Sequence, residues 1–187
     1  MTIEFNLPTC LTLLRIALIP VLAFVFYLPW AYSNMACAVI FLMAGITDWL
    51  DGYLARKMGM VTPFGAFLDP VADKLMVTFV LVLIVQQQAN MYIALPSAVI
   101  IGREITIASL REWMAEIGQR AKVKVSELGK YKTTVQMSAI TLLLYREDLM
   151  GIPINDIGYI LLYMAAVLTL WSMANYLGAA LTTMAKE

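Results

Sequence analysis

An all-α integral membrane bundle of six transmembrane helices, opened by a short N-terminal interfacial segment, is what this sequence predicts, and three observations predict it. Hydrophobic residues make up 61% of the 187 and charged residues only 14%, with a mean hydropathy of +0.79, a balance far more apolar than that of a soluble domain. Apolar runs on the scale of a bilayer crossing, about 20 residues, recur along the chain. The charges between them fall into a few loops and one dense acidic stretch. The spans are expected to be helical, because a helix satisfies its own backbone in lipid.

The first run covers Leu11 to Tyr27 and ends at Pro29. Its polar opening, Asn6, Pro8, Thr9, Thr12 and Arg15, suits a segment lying along the interface before the chain enters the membrane. A second span runs from about Tyr32 into the acidic stretch, and a third leaves that stretch and reaches about Val85, before Gln86-Gln87-Gln88 and a short polar turn. The fourth extends from near Met91 to about Glu116, interrupted by Arg103 and Glu104, and a charged loop follows to about Gly129. The fifth covers Tyr131 to Tyr145 and the sixth Ile157 to Ala180. With no internal repeat, low-complexity tract or soluble appendage in view, residues 1–187 are expected to form a single domain.

Charge placement predicts orientation. Arg56 and Lys57 follow the second span, and Arg111, Arg120, Lys122, Lys124, Lys130 and Lys132 surround the loop after the fourth, whereas the first and third loops carry no charge. By the positive-inside rule the second and fourth loops are cytoplasmic, and with them both termini and the acidic stretch. The net charge of zero adds nothing to this.

That stretch, Asp48 to Asp73, holds four aspartates at 48, 51, 69 and 73 between two apolar runs. Carboxylates at the edge of hydrocarbon are costly without a compensating positive charge. On a helix, residues three, four, seven and eight apart share a face, which groups Asp48, Asp51, Gly52, Ala55 and Arg56, and separately Gly65, Asp69 and Asp73. Thr62-Pro63 reads as a helix start. Asp69-Pro70 is a rival start, but Thr62 aligns all three residues of the second group and leaves Pro70 to be absorbed by a local kink. Two antiparallel helices joined near residues 57–61 would aim four carboxylates into one small volume, which like charges tolerate only with cations. Two divalent ions, Mg²⁺ or Mn²⁺, suit all-oxygen ligands, and a two-metal site favours in-line displacement at phosphorus.

The same residues fill the pattern D-x-x-D-G-x-x-A-R, eight residues, G-x-x-x-D-x-x-x-D without a departure, at Asp48, Asp51, Gly52, Ala55, Arg56, Gly65, Asp69 and Asp73. This resembles the signature of the CDP-alcohol phosphatidyltransferases, integral membrane enzymes that exchange the CMP of a CDP-lipid for an alcohol. The resemblance implies one metal held by Asp48, Asp51 and Asp69 and a second by Asp48, Asp69 and Asp73. It also implies a CDP-lipid site including Thr12, Gly52, Arg56 and Gly65, with Asp73 as the catalytic base. Further stretches, N-L-P-T-x-L-T-x-x-R at Asn6 to Arg15, G-R-E-I at Gly102 to Ile105, L-R-E-W at Leu110 to Trp113 and G-K-Y-K-T at Gly129 to Thr133, resemble the bacterial members that use glycerol 3-phosphate. They imply CDP-diacylglycerol as donor, sn-glycerol 3-phosphate as acceptor, a homodimer and the bacterial cytoplasmic (inner) membrane as location, among membrane lipids and with no nucleic acid partner.

Basic residues beyond the motif fit such an acceptor. Arg103 lies near the middle of a span, where arginine is expensive unless it faces a polar cavity, and Arg111, eight residues on, shares its face. With Lys130, Lys132 and Thr133 they suit a phosphate pocket on the aspartate side. The bland alternatives are that the lysines anchor a helix among headgroups and that Arg103 only pairs with a carboxylate. Other classes are weaker fits. The chain has no histidine, which excludes histidine-based triads and histidine-ligated zinc, and Cys10 and Cys37 form no C-x-x-C. The N-terminus lacks the features of a cleaved signal and is expected to be retained. No activated serine or cysteine nucleophile stands in the polar cluster. A small cation transporter would place its carboxylates nearer the bilayer midplane, and within the enzyme class serine, inositol phosphate or phosphatidylglycerol are rival acceptors.

Overall fold

The structure, a computed structural model, describes residues 6–58, 62–117 and 127–184, and their side chains except those at positions 49, 51, 54–56, 58, 63, 66, 127–130 and 179–184. Six helices follow one another: α1 (Leu7–Tyr27), α2 (Ser33–Met58), α3 (Pro63–Gln88), α4 (Met91–Glu116), α5 (Glu127–Tyr145) and α6 (Ile154–Met184). No strand occurs among the described residues beyond an isolated bridge between Leu149 and Ile152.

The helix starts carry their caps. Asn6 accepts from the Thr9 amide at 3.1 Å, with Pro8 in the first turn, and Asn90 accepts from Ile93 at 3.0 Å. Thr62 accepts from the Gly65 amide at 3.0 Å and Pro63 follows it, so α3 begins at Thr62-Pro63 and not at Asp69-Pro70. Because α3 continues through Pro70, Gly65, Asp69 and Asp73 stay on one face as their spacing requires.

Two expectations are corrected. No break separates an interfacial segment from the first span: α1 is continuous from Leu7, and Pro8, Thr9, Thr12 and Arg15 are buried along it. Thr9 bonds to Asn6 of its own segment, and Thr12 and Arg15 find partners on neighbouring helices, so they need no headgroup layer. The charged loop ends earlier than Gly129, since α5 already includes residues 127–129. Arg120, Lys122 and Lys124 lie outside the described residues.

Three helical stretches are long and apolar enough to cross a membrane by themselves, Leu7–Tyr27, Met91–Glu116 and Ile154–Gly178, and α2 contributes a shorter apolar stretch, Ser33–Asp48. Large apolar side chains cover the outside, including Phe24 at 69% and Trp171 at 66% exposure, as expected of a surface meeting lipid. This is a membrane protein built from apolar helices.

Packing divides the bundle into two halves. In one, Leu22, Phe41, Val80, Ile84, Ile140 and Leu162 form a closed apolar core. The other gathers the start of α1, the end of α2, the start of α3, the charged parts of α4 and α5, and Ser172 and Tyr176 of α6. Helices α5 and α6 pack on each other most extensively, and Gly158 permits it. A Cβ there would lie 2.9 Å from Leu143 Cγ and 3.3 Å from the Leu143 backbone nitrogen. Gly158→Leu is therefore expected to destabilise the detergent-solubilised protein by on the order of 1–3 kcal/mol through overpacking. Gly102→Ala, where a Cβ meets nothing within 4 Å, should be neutral or mildly stabilising. Thermal unfolding of both variants checks this, and a well-tolerated leucine at 158 would refute the close approach.

Candidate active site

The site begins where α1 docks on α2 and α3. Arg15 and Thr12 lie three residues apart on α1 and so share a face. The Arg15 guanidinium is 2% exposed, and its Nη1 stands 2.6 Å from Asp48 Oδ1 on α2. Thr12 Oγ1 donates to Asp69 Oδ1 on α3. One helix thus holds a carboxylate from each half of the acidic stretch. Asp73, one turn beyond Asp69, shares its electrostatic surroundings with Asp48, Arg15, Glu104 and Lys74.

Gly65 is buried at the same junction. A Cβ on it would stand 3.0 Å from Thr62 Oγ1 and 3.2 Å from Thr9 Oγ1. The helix contact therefore needs a small residue here whether or not a ligand approaches. Gly52 is half-buried on α2, while the side chains of Asp51, Arg56 and Lys130 are outside the described set. Among the described residues no three acids converge as metal ligands. The donor chemistry still suits a hard divalent ion: Asp48, Asp69 and Asp73 are oxygen donors only partly buried.

Beside Asp73 opens a cavity of about 180 Å³. Its walls come from four helices: Asp73, Lys74 and Val77 on α3, Arg103, Glu104 and Arg111 on α4, Lys132, Thr133, Gln136 and Met137 on α5, and Tyr176 on α6. Arg103, buried, donates to Glu104 Oε1 at 3.0 Å and to Ser172 Oγ at 3.0 Å. Lys132, also buried, pairs with the same Glu104 oxygen. The exposed Arg111 donates to Tyr176 Oη at 3.2 Å, and both arginines stack against the Tyr176 ring, at 5.9 Å for Arg103 and 5.5 Å for Arg111.

Arg103, Arg111, Lys132, Thr133 and Asp73 are thus brought to one cavity, and Thr12 to Asp69. Lys132 does not reach for headgroups, because it is buried against Glu104. Arg103 does pair with a carboxylate, yet it also faces the cavity. Sequence reasoning missed the roles of Arg15, Glu104, Gln136 and Tyr176. Two of them had a usable signal, Arg15 in its i+3 spacing from Thr12 and Gln136 in its i+4 spacing from Lys132.

The arrangement sets partly open carboxylates beside a small cationic chamber in an apolar membrane bundle, chemistry suited to phosphorylated ligands. The sequence profile of the CDP-alcohol phosphatidyltransferase family matches residues 5–171, and the chain belongs to that family. The family is generally dependent on divalent cations. Among individual relatives, a protein of Pectobacterium atrosepticum is 54% identical over 177 residues, covering 95% of this chain and 96% of its own. One of Yersinia enterocolitica is likewise 54% identical and one of Salmonella typhimurium 52%, both with the same coverage. All three are named CDP-diacylglycerol--glycerol-3-phosphate 3-phosphatidyltransferase.

Glu104 holds two buried cations, so its removal leaves like charges facing each other. Glu104→Gln is expected to lower stability by on the order of 1–3 kcal/mol, and adding Lys132→Met should recover part of the loss. Unfolding midpoints of the single and double variants measure this coupling. A Glu104→Gln protein as stable as the parent would show that the carboxylate does not hold the cations in place.

Proposed function

We propose that this chain transfers the phosphatidyl group of CDP-diacylglycerol to sn-glycerol 3-phosphate, giving phosphatidylglycerophosphate and CMP. One observation carries the reading: Asp73 and the cations of Arg103, Arg111 and Lys132 line one small polar cavity. A phosphorylated acceptor explains three cations where serine would not. The chamber, about 180 Å³ and walled by four helices, suits a small polar acceptor. The relatives' names favour glycerol 3-phosphate over inositol phosphate. The acids gather at one end of the bundle, which favours an enzyme over a cation transporter.

Asp48, Asp51, Asp69 and Asp73 would hold two divalent cations, Mg²⁺ or Mn²⁺, which when bound neutralise the pyrophosphate and polarise the phosphoryl group. The donor lipid lies along α2 and α3, with Thr12 fixing Asp69, Gly52 keeping the backbone accessible, Gly65 letting α1 pack closely beside the site, and Arg56 balancing phosphate charge. Arg103, Arg111, Lys130, Lys132 and Thr133 receive the acceptor's phosphate. Asp73 takes the proton of the acceptor's primary hydroxyl as its oxygen bonds to the phosphorus that carries the diacylglycerol. The bond from that phosphorus to CMP breaks in the same step, and CMP leaves. The reading includes six spans, with the shorter, more charged helices completing the bundle, and places both termini and the site at the cytoplasmic face of a bacterial inner membrane, on the positive-inside bias. It also includes a homodimer, on family resemblance.

Release of CMP from radiolabelled CDP-diacylglycerol, with each candidate acceptor supplied in turn, tests this directly. Glycerol 3-phosphate should support release and serine should not. Asp73→Asn should lower kcat by about 100-fold or more while CDP-diacylglycerol binding stays measurable. Full activity of that variant refutes the base assignment.

A further inference from the structure

Gln136 lies one turn beyond Lys132 on α5 and lines the same cavity. It is 5% exposed, and its Oε1 has no hydrogen-bond partner among the described residues. Glutamine is seldom buried this deeply, and buried polar side chains are normally hydrogen-bonded. It stands where the polar wall meets the apolar one: Val77 and Met137 also line the cavity, and Ile140, the next turn of α5, belongs to the apolar core. An apolar side chain of similar size would fill the position without burying an unmatched polar atom. The carboxamide is therefore matched to something that enters the cavity.

The other polar groups narrow what that is. Under the proposed reaction, the cations of Arg103, Arg111 and Lys132 take the acceptor's phosphate, and Asp73 takes the hydroxyl that reacts. A three-carbon acceptor phosphate with two hydroxyls then has one polar group left, the hydroxyl on its middle carbon. A hydroxyl both donates and accepts, so it pairs with a carboxamide whichever way the amide is turned. A neutral amide is also suited to a group that stays neutral, beside charged side chains that are suited to charged ones.

We infer that Gln136 hydrogen-bonds the middle, non-reacting hydroxyl of the acceptor and so selects a vicinal-diol phosphate over its deoxy counterpart. The inference rests on the proposed transferase reading and adds to it the residue that reads the acceptor's carbon chain. Sites built to bond a hydroxyl reject analogues that lack it, because the site's own polar group is then left unpaired. The cavity walls supply the contrast: removing a phosphate-binding cation weakens every phosphorylated acceptor alike, whereas removing Gln136 weakens only the one with the hydroxyl.

The test compares kcat/KM of the purified full-length protein for sn-glycerol 3-phosphate and for 3-hydroxypropyl phosphate, which lacks only the middle hydroxyl. Wild type should prefer glycerol 3-phosphate by about tenfold or more. In Gln136→Met and Gln136→Leu the ratio should fall to about one, through loss on glycerol 3-phosphate with the deoxy acceptor unchanged or improved. A wild-type ratio near one overturns the inference without any variant being needed. A ratio unchanged in both variants overturns it too, equal loss on both acceptors placing Gln136 at the phosphate or in packing alone. If wild type turns over neither acceptor, the transferase reading itself fails, and the inference falls with it.

Discussion

Arg15 is the constraint on which the charged half of this bundle depends. A guanidinium buried beside apolar helices is tolerable only when paired, and breaking such a pair strands a charge in a poor solvent. Its partner, Asp48, comes from α2 at 2.6 Å, and one turn earlier on α1 Thr12 engages Asp69 of α3. Sliding α1 by a single residue would break both contacts at once. The register of three helices is thereby tied to the two halves of the acidic stretch. The need of Asp48 for a positive neighbour is met in part from within the chain.

Asp73 joins that junction to the neighbouring cavity, feeling the charges of the one and lining the other. The same electrostatic logic recurs there, with Glu104 shared between Arg103 and Lys132 and Tyr176 offering its ring face to two arginines. Cations are held in place without being fully neutralised, which leaves a chamber receptive to an anion. Its polar walls contrast with the exposed apolar side chains on the outside of the bundle.

Much of this was legible in the sequence, for identifiable reasons. Hydropathy placed α4 at both ends and the end of α1, because lipid-facing and core-facing residues are apolar alike and the runs stop where polar residues begin. Thr62 was readable as a cap because a hydroxyl before proline satisfies an orphan amide in a purely local way. Helical spacing correctly put Gly65, Asp69 and Asp73 on one face. What could not be read were partners from other helices. Thr12 and Asp69 are 57 positions apart, and Lys132 and Glu104 are 28 apart. Adjacent residues such as Arg103 and Glu104 do not face each other by helix geometry, so Arg103 could be read as a pocket residue but Glu104 could not be read as its partner. The polar opening of α1 was misjudged for the same reason: its partners were distant in sequence, and the interface seemed the cheaper home.

The central claim is that the aspartates of α2 and α3 form a divalent-cation site to which a CDP-lipid is bound. Electron paramagnetic resonance of Mn²⁺ added to the purified protein, with and without CDP-diacylglycerol, tests it apart from turnover. The account predicts bound Mn²⁺ that acquires phosphorus hyperfine coupling when the lipid is added, with both signals lost in Asp48→Asn and Asp69→Asn. Mn²⁺ that remains free in solution, or that binds equally well without those aspartates, would contradict it.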